Sequence, residues 1–234
     1  MINHQTTRDL DAARARYRGQ IIPKPALAVM DAETSRLAAS DLASHALKIG
    51  DTAPDFILPD AHGLPVRFYS LLARGPVVIV FYRGGWCPYC NLHLRGFQRA
   101  LPQLQELGAQ MVAISPQLPD NSLSTQEKNE LAFPVLSDVG NKVARQFGIV
   151  FELNDELLQL YRQFGHALEE ANGESGKREL PVPATFLADH KGIIRLAHVD
   201  VDYTRRMDPD EVIETLKTFK NQNQPEANFA RNRL

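Results

Sequence analysis

The chain has two cysteines, Cys87 and Cys90, and both fall in the stretch FYRGGWCPYCNLHLRGF at 81–97. Two thiols separated by two residues at the start of a helix lie within disulfide reach of each other. A thiolate set on the unpaired N–H groups of a helix N-terminus is stabilised by them and by the helix dipole. That environment lowers a cysteine pKa from about 8.5 to about 3.5–7.5. Redox chemistry is the first expectation, with Cys87 the more exposed sulfur and Cys90 tucked behind it. Pro88 suits the first helical turn because it has no N–H to lose. Gly84 and Gly85 let the backbone turn sharply, and Trp86 is placed to shield one side. Two other readings compete. A closed zinc site needs four ligands, yet there is no second C-x-x-C or H-x-x-H pair, and His93, the nearest candidate, is a lone histidine on a helix face. Two inert buried thiols would leave unexplained why both share one turn with Pro88 and Tyr89 between them.

Such a pair needs a strand that ends at the motif and a helix that begins there. PVVIVFY at 76–82 is a continuous apolar, β-branched run of the kind buried on both faces of a sheet. After the cysteines, Leu94, Phe97, Leu101 and Leu104 form one apolar helical face, in which Pro102 should kink or divide the helix. AQMVAISP at 109–116 predicts the next strand, with Ser115 and Pro116 at its end as a plain turn or a pocket edge. A polar helix over 122–131, a short strand in FPVLSD and a helix around 140–148 follow. Residues 152–180 predict one or two helices, with NGESGKRE as an exposed loop. VPATFLAD, the turn HKG and IIRLAHV predict a β-hairpin over 182–199. DPDEVIETLKTF predicts a closing helix with Asp208 as N-cap. VDYTRR at 201–206 precedes it, either as a solvated loop or reaching the rim of the site.

Before the core, residues 1–47 predict a helical extension, with PKP at 23–25 dividing two helices and Leu37, Leu42, Ala46 and Leu47 at loosely helical spacing. It could pack across a homodimer or cover its own domain. Residues 48–220 form the core domain, and the tail 221–234 reads as disordered. The element order gives an α/β fold, a mixed central sheet with helices on both faces, and the motif falls at a strand's carboxyl end, where sites form in open α/β sheets.

A net charge of −2 over 234 residues gives no reason to expect a nucleic-acid or membrane partner. No apolar run approaches the roughly 18–20 residues that cross a bilayer, and the polar N-terminus lacks a signal-peptide core. The expectation is a cytoplasmic protein, where a close cysteine pair is catalytic or metal-binding more often than a structural staple.

Over about residues 48–220 the sequence resembles the thioredoxin-fold superfamily, and within it the peroxiredoxin (AhpC/TSA) branch. IGDTAPDFILPDAHG is similar to the peroxiredoxin opening, FPVLSDVGNKVARQFGI to the segment after the third core strand, and PATFLADHKGIIR to the closing hairpin. FYRGGWCPYC aligns without a gap on F-Y-x-x-x-x-T-P-x-C, while C-P-Y-C is also the glutaredoxin tetrad. The resemblance sets Cys90 on the peroxidatic cysteine and Cys87 on the peroxide-binding Thr. The family's helper Arg falls on Pro183, which instead resembles the cis-proline of thioredoxins. Arg83 either replaces that Arg electrostatically or is a surface charge. The implied function is thiol-dependent reduction of hydrogen peroxide or organic hydroperoxides through Cys87 and Cys90, without a cofactor or metal. Its reductant would be of the thioredoxin, glutaredoxin or glutathione type. A thioredoxin- or glutaredoxin-like disulfide exchanger, with Cys87 attacking first, stays open, as does a metal or iron–sulfur module shared between two subunits.

Overall fold

The computed structural model describes residues 4–176 and 178–222. Its elements in chain order are α1 (Gln5–Arg16), a π-helical turn (Tyr17–Ile21), α2 (Lys24–Ala38), α3 (Leu42–His45), β1 (Ile57–Pro59), β2 (Pro65–Arg67), α4 (Phe68–Leu72), β3 (Val77–Phe81), α5 (Pro88–Glu106) and β4 (Gln110–Ser115). They continue with α6 (Pro119–Lys128), β5 (Val135–Ser137), α7 (Lys142–Gln146), β6 (Val150–Glu152), α8 (Asp155–Gln163), α9 (Leu168–Asn172), β7 (Glu179–Pro181), β8 (Ala184–Ala188), β9 (Ile194–Val199) and α10 (Pro209–Gln222).

The β-branched run at β3 sits in the middle of a sheet ordered β5-β4-β3-β8-β9. Strands β3, β4 and β5 run parallel, and β8 and β9 run antiparallel to their neighbours, so the sheet is mixed as expected. Alternation along β3 divides the core. Val78 and Val80 join Leu94, Phe97 and Leu104 of α5 and Val212, Ile213 and Leu216 of α10. Val77, Ile79 and Phe81 join Phe68, Leu72, Val143 and Phe147 on the other face. At about 1.5–3 kcal/mol for each fully buried aliphatic or aromatic side chain, these two layers fix where β3 ends and α5 begins. The α5 helix continues unbroken through Pro102. The apolar contacts on both sides of Pro102, Leu101 and Leu104, hold the turn that the missing N–H weakens.

The extension packs on its own chain. Leu10 of α1 enters the core beside α5, while Ala26 and Met30 of α2 form a separate cluster with Leu157, Tyr161 and Leu168. The spacing of Leu37 to Leu47 does not make one helix, since α2 stops at Ala38 and α3 ends at His45. Residues 152–180 hold two helices and also two strands, β6 and β7, which pair antiparallel. NGESGKRE is not simply an exposed loop, because Asn172 and Gly176 are buried and Glu179 already belongs to β7. Asp208 does cap α10, accepting the Asp210 N–H at 3.1 Å. Its other oxygen accepts the Thr7 N–H at 2.8 Å and the Thr7 hydroxyl at 2.9 Å, tying α1 to the start of α10. The expected disordered tail lies, from residue 223 onward, outside the described residues.

The crossing of α1 over α5 depends on Gly96, where a Cβ would collide with the hydroxyl and methyl of Thr6. Gly96→Ala gains about 1 kcal/mol of helix propensity but strains a filled contact at about 1–3 kcal/mol. Urea unfolding should therefore show net loss of stability, with Thr6→Ala in the same chain restoring part of it. A stabilised Gly96→Ala would mean that α1 does not press on α5.

Candidate active site

Between β3 and α5 the chain runs Tyr82 to Cys87 as a tight turn. Gly84 takes φ 150°, a conformation that a Cβ at this position would oppose, and the Trp86 indole lies over it. The turn is clamped from α5 and from the segment between β4 and α6: Gly85 N–H donates to Gln117 Oε1 at 2.8 Å, and Asn91 Nδ2 donates to the Gly85 carbonyl at 2.8 Å. Asn129 Nδ2 in turn donates to Asn91 Oδ1 at 2.9 Å. Cys87 is the N-cap residue of α5, followed by Pro88 at its first position, and Cys90 sits one turn in.

Both sulfurs are free thiols and both are buried, Cys87 to 2% and Cys90 to 0% exposure. The expected order, Cys87 in front of Cys90, holds only in the sense that a pocket of ≈ 350 Å³ reaches Cys87 and stops there. That pocket is walled largely by apolar and aromatic side chains: Tyr17, Ile22 and Met30 from the extension, Trp86, Tyr161 and Tyr203 from the core.

The two thiols share one proton unequally. Burial alone would raise the Cys90 pKa. The hydrogen bond from Cys87 outweighs it together with the charges of Arg206 and Arg83 and the Arg83 backbone N–H, bringing the Cys90 thiol down from 9.0 to about 5. Cys87 moves the opposite way, raised by the hydrogen bond to Cys90 and then by burial. The opposite shifts favour the thiolate on Cys90, with the Cys87 thiol donating a hydrogen bond to it. Arg206 Nη2 lies 3.8 Å from Cys90 Sγ.

Arg83 is not a surface charge: it is 3% exposed. Its guanidinium lies 4.9 Å from the Trp86 ring, 5.4 Å from Tyr161 and 4.6 Å from Tyr203, and Nη2 donates to the Tyr161 hydroxyl. Cation–π contacts contribute about 0.5–2 kcal/mol each, which helps hold a cation where no carboxylate reaches it: among the described residues neither Arg83 nor Arg206 has an ion pair with Asp or Glu. Both Nε atoms are buried without a hydrogen-bond partner.

Pro183 departs from the expectation. The described residues contain no cis peptide bond, so Pro183 is trans. It faces a gap of ≈ 20 Å³ shared with Arg83, Tyr161 and Tyr203, not the pocket over Cys87. The guanidinium beside Cys90 belongs to Arg206. His93 is a packed ring: Nε2 donates to the Met207 carbonyl at 3.0 Å, and burial lowers its pKa to about 3. Among the described residues no His, Asp or Glu joins the two cysteines in a group of three metal-ligand atoms. Ser115 and Pro116 do not line the pocket.

Of the two readings of VDYTRR, the one reaching the site holds, through Tyr203 and Arg206, although neither was singled out; Tyr17 and Tyr161 were missed. VDYTRR carried the one usable signal, an aromatic and two arginines just before a capped helix.

If Arg206 supports the thiolate, thiolate absorbance should titrate near 5 in the native protein. In Arg206→Met the midpoint should rise by about 1–3 pH units, the usual effect of losing an opposite charge in contact. An unmoved midpoint would remove Arg206 from the account.

The AhpC/TSA family model matches residues 49–197. A relative from Mycobacterium tuberculosis carrying a peroxiredoxin name is 35% identical over 116 residues, covering 50% of this chain and 75% of that protein. The chloroplastic peroxiredoxin Q of Sedum lineare is 28% identical over 172 residues, covering 73% of this chain and 77% of that one. Among solved structures, peroxidoxin BcpB of M. tuberculosis superposes with a TM-score of 0.58 at 27% identity, covering 74% of this chain and 97% of that chain. With the strand order and the thiol turn described above, these matches settle the family: this chain belongs to the AhpC/TSA family, the peroxiredoxins of the thioredoxin fold.

Proposed function

We propose that this enzyme reduces hydroperoxides with Cys90 as the attacking thiolate and Cys87 first as proton donor and then as resolving thiol. The observation that carries the reading is the fully buried Cys90 sulfur with the Arg206 guanidinium 3.8 Å away, where the Cys87 hydrogen bond and the charges of Arg206 and Arg83 bring its pKa below neutral. Peroxide cleavage needs that set: a nucleophile, a proton for the departing oxygen, and positive charge where negative charge develops. Cys87 fills the place of the family's Thr, and Arg206 supplies the charge that Pro183 cannot.

In the first step the Cys90 thiolate attacks one oxygen of ROOH and the O–O bond breaks. Cys90 becomes a sulfenic acid, and the alkoxide leaves as ROH with the Cys87 proton. Cys87, now a thiolate, attacks the Cys90 sulfur and expels hydroxide, closing the disulfide. The pocket ends on Cys87, so the peroxide meets Cys90 when the Cys87 side chain rotates about χ1. The same feature supports a second reading, a disulfide exchanger in which Cys87 attacks first. Either route returns the pair to the dithiol with a thiol reductant in each cycle, which suits a reducing, cytoplasmic compartment. Among the described residues no helix is long and apolar enough to cross a membrane.

Stopped-flow mixing of reduced protein with hydrogen peroxide and with an alkyl hydroperoxide tests the reading. The expected outcome is disulfide formation at least about 10²-fold faster than for a free low-molecular-weight thiol, a typical gain from one positioned proton donor. Cys87→Ser should still form a trappable sulfenic acid, and Cys90→Ser should not. Rates no faster than the free thiol would leave the exchanger as the function. The rate should also hold at neutral pH and fall only as pH drops through about 5, where the Cys90 thiolate takes its proton.

A further inference from the structure

Two observations bear on what returns the electrons. The first is access. Cys87, the sulfur that the pocket reaches, is 2% exposed, at the floor of a cavity of ≈ 350 Å³. One wall is the extension, outside the residues that the family model matches. It is held in place: Arg18 of the π-helical turn donates to both Asp31 oxygens at 2.8 and 2.7 Å, and Arg14 donates to Thr204 at 2.9 Å. Cavities of about 300–1,000 Å³ are the size of small-molecule sites. A protein dithiol carries its sulfur on a broad surface and would have to lift Tyr17 and Ile22 away to touch Cys87.

The second is charge. In the dithiol form the Cys90 thiolate is the anion beside Arg83 and Arg206. Once the disulfide forms, that anion is gone, and two buried guanidiniums remain with unpaired Nε atoms and no carboxylate among the described residues. A buried charge stripped of its partner is costly, so the oxidised site favours an entering anion and favours reduction, which restores the pairing.

We propose that the reductant of the Cys87–Cys90 disulfide is a low-molecular-weight thiol, taken into this pocket as its thiolate, and not a protein dithiol. The inference rests on the peroxidase reading above. The thiolate RS⁻ attacks Cys87 Sγ, a bond forms between the two sulfurs, and the Cys87–Cys90 bond breaks with its electron pair leaving on Cys90. The pocket is lined by Cys87 and not by Cys90, so the entering sulfur meets Cys87 and Cys90 is the leaving one. A leaving thiol of low pKa departs faster. A second RS⁻ attacks the R-side sulfur of the mixed disulfide, RSSR leaves, and Cys87 takes the electron pair and a proton from solvent. Two thiols are oxidised and one disulfide is reduced.

The test uses the full chain, oxidised with one equivalent of hydroperoxide and freed of excess. Its reduction is followed by the fluorescence of Trp86, the single tryptophan. The probes are glutathione, 2-mercaptoethanol and reduced thioredoxin at equal thiol concentration. Glutathione should reduce the protein at least as fast as thioredoxin does. Tyr17→Ala, which lowers the wall, should raise the thioredoxin rate by about tenfold, and Ile22→Phe, which narrows the pocket and adds no second tryptophan, should lower the glutathione rate by about tenfold, a difference of 1.4 kcal/mol in barrier. Thioredoxin reducing the native protein faster than glutathione would overturn the proposal and leave the peroxidase reading standing. If hydroperoxide gives no disulfide, the peroxidase reading fails instead. The same comparison on disulfide made with diamide then decides the donor.

Discussion

A negative sulfur buried between two guanidiniums is the constraint on which the site depends. A thiolate with no exposure is unfavourable by burial alone, and here the Cys87 hydrogen bond, Arg206, Arg83 and a backbone N–H reverse that balance. The guanidiniums need the thiolate in turn, because no carboxylate reaches either one among the described residues. Each half of this arrangement would be unstable without the other. The reduced pair is thus held in one protonation pattern before any substrate arrives.

The surrounding elements follow from keeping that charge cluster dry and in register. The strand β3 delivers Arg83 and the thiol turn to the carboxyl end of the sheet, and α5 presents Cys87 and Cys90 on its first turn. The segment before α10 brings Tyr203 and Arg206, anchored because Asp208 both caps α10 and holds Thr7 of α1. The helix α8 brings Tyr161 against Arg83, and α2 packs behind α8. Part of the wall over Cys87, and one of the three rings around Arg83, Tyr203, therefore come from chain outside residues 49–197, which the family model matches. The extension is part of the site's wall, although its helices look like an addition to the domain.

The features legible in the sequence are those encoded locally. The buried run PVVIVFY, the apolar face of α5, the hairpin of β8 and β9 and the Asp208 cap each depend on neighbours a few residues apart. C-P-Y-C at a strand-to-helix junction identified the thiols for the same reason. The rest depends on contacts between distant segments. Arg206 meets Cys90 across 116 positions, and nothing in VDYTRR distinguishes the arginine that turns inward from Arg205, which stays at the surface. Arg83 read equally well as exposed, because its burial depends on three aromatic rings from three separate segments. Strands β6 and β7 are three residues each and carry no alternation long enough to read. Pro183 was misread because sequence similarity specifies a proline and leaves its isomer to the surrounding packing.

The shared proton is the most direct target for measurement. The chain has 2 cysteines, so vibrational spectroscopy in the S–H stretching region counts every protonated thiol in the reduced full-length protein. At neutral pH the account predicts the S–H intensity of one thiol per chain, carried by Cys87 and shifted by its bond to Cys90. Intensity equal to two thiols per chain would show that Cys90 is protonated and would contradict the account.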